Sequence, residues 1–158
     1  MIPFEDKSVL QHLMQLYLYD FSEFTGEDIN DHGRYEYKYL DNYWIEARRD
    51  AYLIRYGEPI AGFTLVTRGT TDMASGTFDT DLMAISEFFV MRKFRGRGIG
   101  AFAANFCFDQ YLGDWQITTP ANNRPSATFW RAVINKRTGG NFVASRTPDD
   151  IIYFHFAT

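Results

Sequence analysis

Residues Phe88 to Gly100 read Phe-Phe-Val-Met-Arg-Lys-Phe-Arg-Gly-Arg-Gly-Ile-Gly, and they constrain the fold more than any other stretch. An apolar run of strand type passes without a spacer into a turn holding Arg92, Lys93, Arg95 and Arg97. A helical pattern follows at once, from Gly98 to Leu112, with Gly113 as its stop. With the elements that follow from the rest of the chain, a strand delivered straight to a helix N-terminus reads as part of an α/β or α+β domain with a mixed sheet. Glycines in such a turn let the backbone approach a ligand closely. Successive free N–H groups at the positive end of a helix dipole suit a pyrophosphate. The bases reverse the local sign of a chain that is acidic overall, with 16 Lys and Arg against 20 Asp and Glu, which also favours a polyanion.

The rest of the chain supplies the layers. Leu10, Leu13, Met14, Tyr17 and Phe21 form the stripe of an amphipathic helix from about Asp6 to Phe24. Ala51–Tyr56 and Ile60–Thr67 read as a hairpin across Gly57-Glu58-Pro59, and Leu82–Met91 as a strand buried on both faces. Between them, Arg68–Asp81 is a loop or a longer hairpin connection. On the second helix, Ile99, Phe102, Ala103, Phe106, Cys107 and Gln110 define one side. Trp115–Thr119 is a short strand, Pro125 starts a third helix running to about Asn135, and Phe142–Arg146 with Ile151–Phe156 close the chain as an antiparallel pair. The length of 158 residues fits a single domain, 1–158, and the 18% aromatic content fits a packed core.

Composition removes several function classes. A net charge of −4 argues against a broad basic face for nucleic acid. Cys107 is the sole cysteine, so no internal disulfide forms, and it reads as an inert core thiol. His12, His32 and His155 have no ligand spacing, so no metal is expected. Met1–Lys7 lacks the basic and apolar regions of a signal peptide, and no apolar run reaches the ~18–20 residues of a membrane span, which places the protein in the cytoplasm.

Three readings of the turn compete. The Walker pattern is absent. Gly96-x-Gly98-x-x-Ala101 fits a dinucleotide fingerprint, but Trp115–Thr119 offers no acid where that fold needs one, and the motif sits in mid-chain. A basic surface turn capping a core helix is the plain structural alternative. The third reading is a resemblance. Arg95-x-x-Gly98-x-Gly100 resembles the acetyl-CoA signature of the GNAT superfamily of N-acetyltransferases, in the strand–turn–helix setting that family uses. Asn123, Ser126 and Trp130 match a second family feature: an Asn after the next strand, a small residue at +3 and an aromatic at +7. The likeness spans nearly the whole chain. The Leu16–Ser22 and Phe129–Gly140 segments resemble a bacterial subgroup of acetyltransferases.

The resemblance implies a GNAT-like mixed, mostly antiparallel central sheet flanked by helices, with acetyl-CoA as co-substrate. Backbone amides of Arg95, Gly96, Arg97, Gly98, Ile99 and Gly100 would hold the pyrophosphate, and Arg92 or Arg97 the outer phosphate. Phe89, Val90 and Met91 would splay from the neighbouring strand and pair with the pantetheine arm. Asn123, with Ser126 after it, would bond that arm, although Asn123 also suits a helix N-cap.

The reaction implied is attack of a neutral primary amine, on a small molecule or peptide, upon the acetyl thioester. Glu87 is the candidate general base, because a carboxylate among apolar side chains has its pKa raised toward the working range; the alternative is a positioning or structural carboxylate. The family's +7 residue is commonly a Tyr that protonates the leaving thiolate, but here it is Trp130, a donor without accessible titration. The thiolate then leaves without a dedicated acid, or another Tyr serves, and core packing is the other reading of Trp130. Acids from Asp20 to Asp31 and tyrosines from Tyr35 to Tyr43 suit a cationic amine, or else form a solvated helix end beside core aromatics. The missing Tyr motivates a rival function, a catalytically silent acyl-CoA-binding module, and acetylation of a protein N-terminus or lysine is another. A homodimer is left open.

Overall fold

The computed structural model describes residues 1–158. Four helices, α1 (Lys7–Thr25), α2 (Asn42–Ile45), α3 (Ile99–Gln110) and α4 (Arg124–Thr138), accompany six strands. These are β1 (Arg49–Arg55), β2 (Ile60–Thr71), β3 (Phe78–Val90), β4 (Asp114–Pro120), β5 (Val143–Arg146) and β6 (Ile151–Ala157). They form one sheet in the order β1-β2-β3-β4-β6-β5, in which only β3 and β4 run parallel. The mixed, mostly antiparallel sheet expected from the sequence is therefore present.

Two cores lie against the two faces of this sheet. The α1 stripe buries Leu10, Leu13, Met14 and Leu18 against Phe63, Leu65 and Phe89. On the other face α3 and α4 bury Phe108, Trp130 and Ile134 against Val66, Ile85, Trp115 and Phe154. β2 is covered on both sides, as Leu65 and Val66 are both fully buried neighbours. Burying one such aliphatic side chain contributes about 1.5–3 kcal/mol, so the two helical layers fix the sheet from both directions.

Three details depart from the sequence reading. The polar Arg68–Asp81 segment is mostly strand: β2 and β3 pair as far as Thr71 and Phe78, leaving a turn at 72–77. The buried Gln116 of β4 stabilises that extension, donating to the Thr71 carbonyl at 2.9 Å and accepting from the Met73 amide at 2.7 Å. The buried side of α3 is rotated from the expected one. Ala103, Ala104, Cys107 and Phe108 face the sheet, while Phe102 is 75% exposed and Phe106 39%. Small residues at 103 and 104 let the helix lie close to the sheet, with Phe108 filling the remaining space. Last, α4 continues to Thr138, where Lys136 and Arg137 complement the negative end of its dipole.

Near its end β3 is shaped by a bulge: Leu65 faces Glu87 but Val66 faces Ile85, so Ser86 is the extra residue. A few residues on, the two strands approach so closely that a Cβ on Gly62 would stand 1.9 Å from the Phe89 carbonyl oxygen. Backbone, unlike a flexible side chain, cannot step aside. Gly62→Ala is expected to lower stability by the ~1–3 kcal/mol typical of overpacking, or more, and a denaturant midpoint checks it. An unchanged midpoint would mean that the strands separate there at little cost.

Candidate active site

The site begins where the sheet opens. β3 and β4 pair only through Met83–Trp115 and Ala84–Gln116, after which the strands diverge. Aromatic side chains fill the base of the wedge: Phe88 lies against Phe129 and Trp130 with ring centroids 5.7 and 5.0 Å apart, and Phe129 meets Trp130 at 4.9 Å. A cleft of about 1640 Å³ runs along this gap, bounded by the C-terminal half of α1, the end of β3, the basic turn, and the start of α4. The unpaired edge of β3 from Ile85 to Val90 therefore lines a cavity instead of another strand.

The basic turn closes one end. After a short 3-10 turn at Arg92–Phe94, Gly96 and Gly98 both take left-handed backbone conformations, at φ 73° and 77°. These bend the chain so that α3 starts pointing at the cleft. No side chain caps α3, and the amides of Gly96, Arg97, Gly98, Ile99, Gly100 and Ala101 have no acceptor within the protein. Arg95 differs, since its amide donates to the Arg92 carbonyl at 3.1 Å. What Arg95 brings to the cleft is its guanidinium. Nε donates to the Val90 carbonyl at 2.7 Å, and one Nη to Asp20 at 2.6 Å. Arg92 reaches the other oxygen of Asp20 at 2.8 Å. Burial pulls the Asp20 carboxyl upward, but the two arginine hydrogen bonds outweigh it and hold the group below the usual carboxylate range. Asp20 thus ties α1 to the turn.

Glu87 projects from β3 into the same cleft, where its Oε2 accepts from the Tyr17 hydroxyl at 2.5 Å. Burial raises its pKa above the ordinary carboxylate value. The Tyr17 and Tyr37 phenols pull the other way, and the charge of Glu27 adds to the rise. The Tyr17 phenol in turn is held well above its normal range, by burial first and then by the charge of Glu87. A carboxylate with a raised pKa at the edge of a splayed strand is placed to accept a proton from a group in the cleft.

Most of the residues singled out in the sequence meet here. Glu87, Phe89, Val90, Arg95, Gly96, Gly98, Gly100, Asn123 and Ser126 all line the cleft. Met91 does not: its amide turns away to the Ala61 carbonyl. Neither Arg97 nor the side chain of Ile99 lines it, and the buried Ile99 joins a small core with Ile54 and Phe94. Asn123 caps α4, its Oδ1 accepting from the Ser126 amide at 3.1 Å, while the residue still borders the cleft. Trp130 is buried against Phe88 and Phe129 and takes the packing role. Cys107 is fully buried, with its thiol pushed up to about 11 by burial, as an inert core thiol requires.

Sequence reading missed Tyr17, which sat in an apolar stripe, and Asp20 as a partner of the turn. It also missed Arg124 and Lys136 of α4, which add positive charge along the cleft, and Arg137, which borders it but pairs with Asp109. Their only sequence signal was a cluster of bases at the two ends of α4. An array of unpaired amides with bases on both flanks fits a phosphate-bearing ligand such as acetyl-CoA.

Comparison with known proteins agrees with this geometry. The model of the acetyltransferase (GNAT) family matches residues 10–133. An acetyltransferase from Thermus thermophilus superimposes with a TM-score of 0.72 at 15% identity, covering 99% of this chain and 94% of that one. The aminoglycoside acetyltransferase AAC(6')-Ib, solved in complex with coenzyme A, gives 0.63 at 15% identity, with 99% and 92% covered. The ribosomal-protein-S18-alanine N-acetyltransferase of Escherichia coli gives 0.61 at 9% identity, with 99% and 90% covered. No curated protein sequence matches the chain. With the family match spanning most of its length and the splayed strand, amide-lined turn and carboxylate in one cleft, the chain belongs to the GNAT family of acetyltransferases, enzymes that use acetyl-CoA as co-substrate.

Proposed function

We propose that this protein, taken as one unit over residues 1–158, transfers an acetyl group from acetyl-CoA to a primary amine of a small molecule or peptide by direct attack. The observation that carries the proposal is Glu87, a partly buried carboxylate with a raised pKa, lying in the cleft that the basic turn closes. The amides from Gly96 to Gly100 hold the pyrophosphate, and Arg124 or Lys136, both bordering the cleft, meets further phosphate charge. Arg92 is less suited to that task than the sequence implied, because Asp20 already engages it. When bound, acetyl-CoA supplies the acetyl thioester. The free edge of β3 orients the pantetheine arm through Val90, whose carbonyl already accepts one bond from the Arg95 guanidinium, whereas the Phe89 carbonyl lies against Gly62 of β2. Asn123 contributes its remaining amide group while capping α4. Glu87 takes the proton that the amine must lose.

A primary amine at neutral pH is mostly ammonium, so a carboxylate with a raised pKa that takes its proton and a positioned donor account for catalysis together. Asp20 is neutralised by two arginines, leaving Glu23 and Glu87 as the cleft carboxylates free to attract a cationic acceptor. Trp130 in place of a Tyr favours one rival, a module that binds acyl-CoA without turnover. The aminoglycoside and ribosomal-protein enzymes reported above illustrate that this fold serves small-molecule and protein acceptors alike. A thiol-release assay with acetyl-CoA across monoamines, polyamines, aminoglycosides and peptides decides among these. Amine-dependent release of CoA is expected from at least one class. Acetyl-CoA binding without release on any of them would favour the silent module.

A further inference from the structure

The Trp130 indole cannot supply a proton to a leaving thiolate, and it is packed into the wedge. One hydroxyl in the cleft is already bonded to the base. We propose that Tyr17 of α1 is the second proton-handling residue of the reaction: it gives its phenolic proton to the departing thiolate and recovers one from Glu87. The proposal rests on the acetyl-transfer reading above.

Geometry puts the two groups in a relay. The Tyr17 hydroxyl and Glu87 Oε2 are 2.5 Å apart, and both residues border the cleft. The Tyr17 ring lies over the end of β3, 6.0 Å from the Phe89 ring and 5.8 Å from Phe63. It therefore stands beside the strand edge where the thioester is to be held. Phe21 stacks on its outer face at 5.3 Å, which fixes the ring and limits water around the hydroxyl. The titratable groups facing this pair are Tyr37 from the segment before α2, and Glu27 just beyond α1.

The proton balance closes. As the N–C bond forms, the amine proton passes to Glu87. As the C–S bond breaks, its electron pair leaves with sulfur, and sulfur takes the Tyr17 proton. The Glu87 proton then returns Tyr17 to its starting state, so the net movement is one proton from amine to thiol. Order is built into the pair. The negative charge of Glu87 opposes formation of a Tyr17 phenolate, and that opposition ends once Glu87 is protonated. Burial, the larger cause of the raised Tyr17 pKa, remains, so protonation of Glu87 makes the phenol a better acid than it is beside the charged base.

A merely orienting Tyr17 would slow every acetyl donor equally, whereas an acid matters most for a poor leaving group. Tyr17→Phe and wild type are compared with acetyl-CoA and with S-phenyl thioacetate, whose aryl thiolate leaves more easily. With acetyl-CoA the variant is expected to lose about 10²-fold in kcat, the lower end of general acid catalysis. With the aryl thioester it stays near the wild-type rate. Equal losses with both donors overturn the proposal and leave Tyr17 a positioning residue for Glu87. Wild type inactive with both donors on every amine overturns the acetyl-transfer reading itself. A second readout needs no turnover: carbon-13 NMR of labelled tyrosine should show the Tyr17 ionisation moving down in Glu87→Gln. An unmoved Tyr17 signal denies the coupling and, with it, the relay.

Discussion

Gly98→Asp is expected to lose all measurable affinity for acetyl-CoA. Gly98 sits at φ 77° at the start of α3, and a Cβ there would meet no protein atom within 4 Å. The side chain would therefore enter open space at a residue that borders the cleft, without clashing with the core. Two penalties combine. A non-glycine residue held in the left-handed region costs about 1–3 kcal/mol, and a carboxylate would stand among the amides that receive a diphosphate. Gly98→Asn separates them, because Asn tolerates the left-handed region and matches Asp in shape without its charge. Calorimetry should rank wild type above Asn and Asn above Asp. Equal affinities across the three would remove the turn from the cofactor site, and an Asp variant already unfolded at the temperature of the titration would assign its loss to folding.

The second large effect is expected from Glu87→Gln. Loss of a general base costs about 10²–10⁴-fold in rate, while acetyl-CoA affinity stays unchanged because the turn is untouched. The wild-type rate should rise with pH through the raised pKa of Glu87 and be lost below it; the Gln variant should lack that limb. Stability follows the opposite sign. Native Glu87 binds its proton more tightly than the unfolded chain does, so wild-type stability falls as pH rises from the ordinary carboxylate value through the raised one. Glu87→Gln removes this dependence while keeping an oxygen acceptor for Tyr17. A variant that is slower yet no less stable at neutral pH marks a functional carboxylate, whereas one that is slower only because it unfolds marks a structural one.

The parts of this site that were legible in the sequence are those carried by consecutive residues. The strand–turn–helix from Phe88 to Gly100 and the Asn123-x-x-Ser126 cap each fix their own backbone geometry, so spacing sufficed. Tyr17 and Asp20 were not legible, because their partners Glu87, Arg92 and Arg95 lie about seventy residues away and meet them only once α1 docks on the sheet. Helical periodicity assigned Tyr17 to the core, correctly for its ring and without notice of its hydroxyl. Arg95 was read for its amide, but the 3-10 turn consumes that amide and turns the guanidinium inward. The long β2–β3 hairpin was obscured by its polar composition, since the residue that holds it, Gln116, belongs to a strand far along the chain. On α3, Ala103, Ala104, Cys107 and Phe108 face the sheet while Phe102 and Phe106 do not, a choice set by tertiary closeness that periodicity alone does not resolve.

The central claim is that acetyl-CoA lies along the free edge of β3 with its phosphates on the turn. Nitrogen-15 NMR of the full chain during an acetyl-CoA titration tests this most directly. The largest shifts should fall on the amides from Gly96 to Ala101 and on Phe89 and Val90, with the distant Tyr111–Asp50 contact at the other end of α3 unmoved. Shifts concentrated away from the turn, with the Gly96 and Gly98 amides still, would contradict the account and place the cofactor elsewhere on the fold.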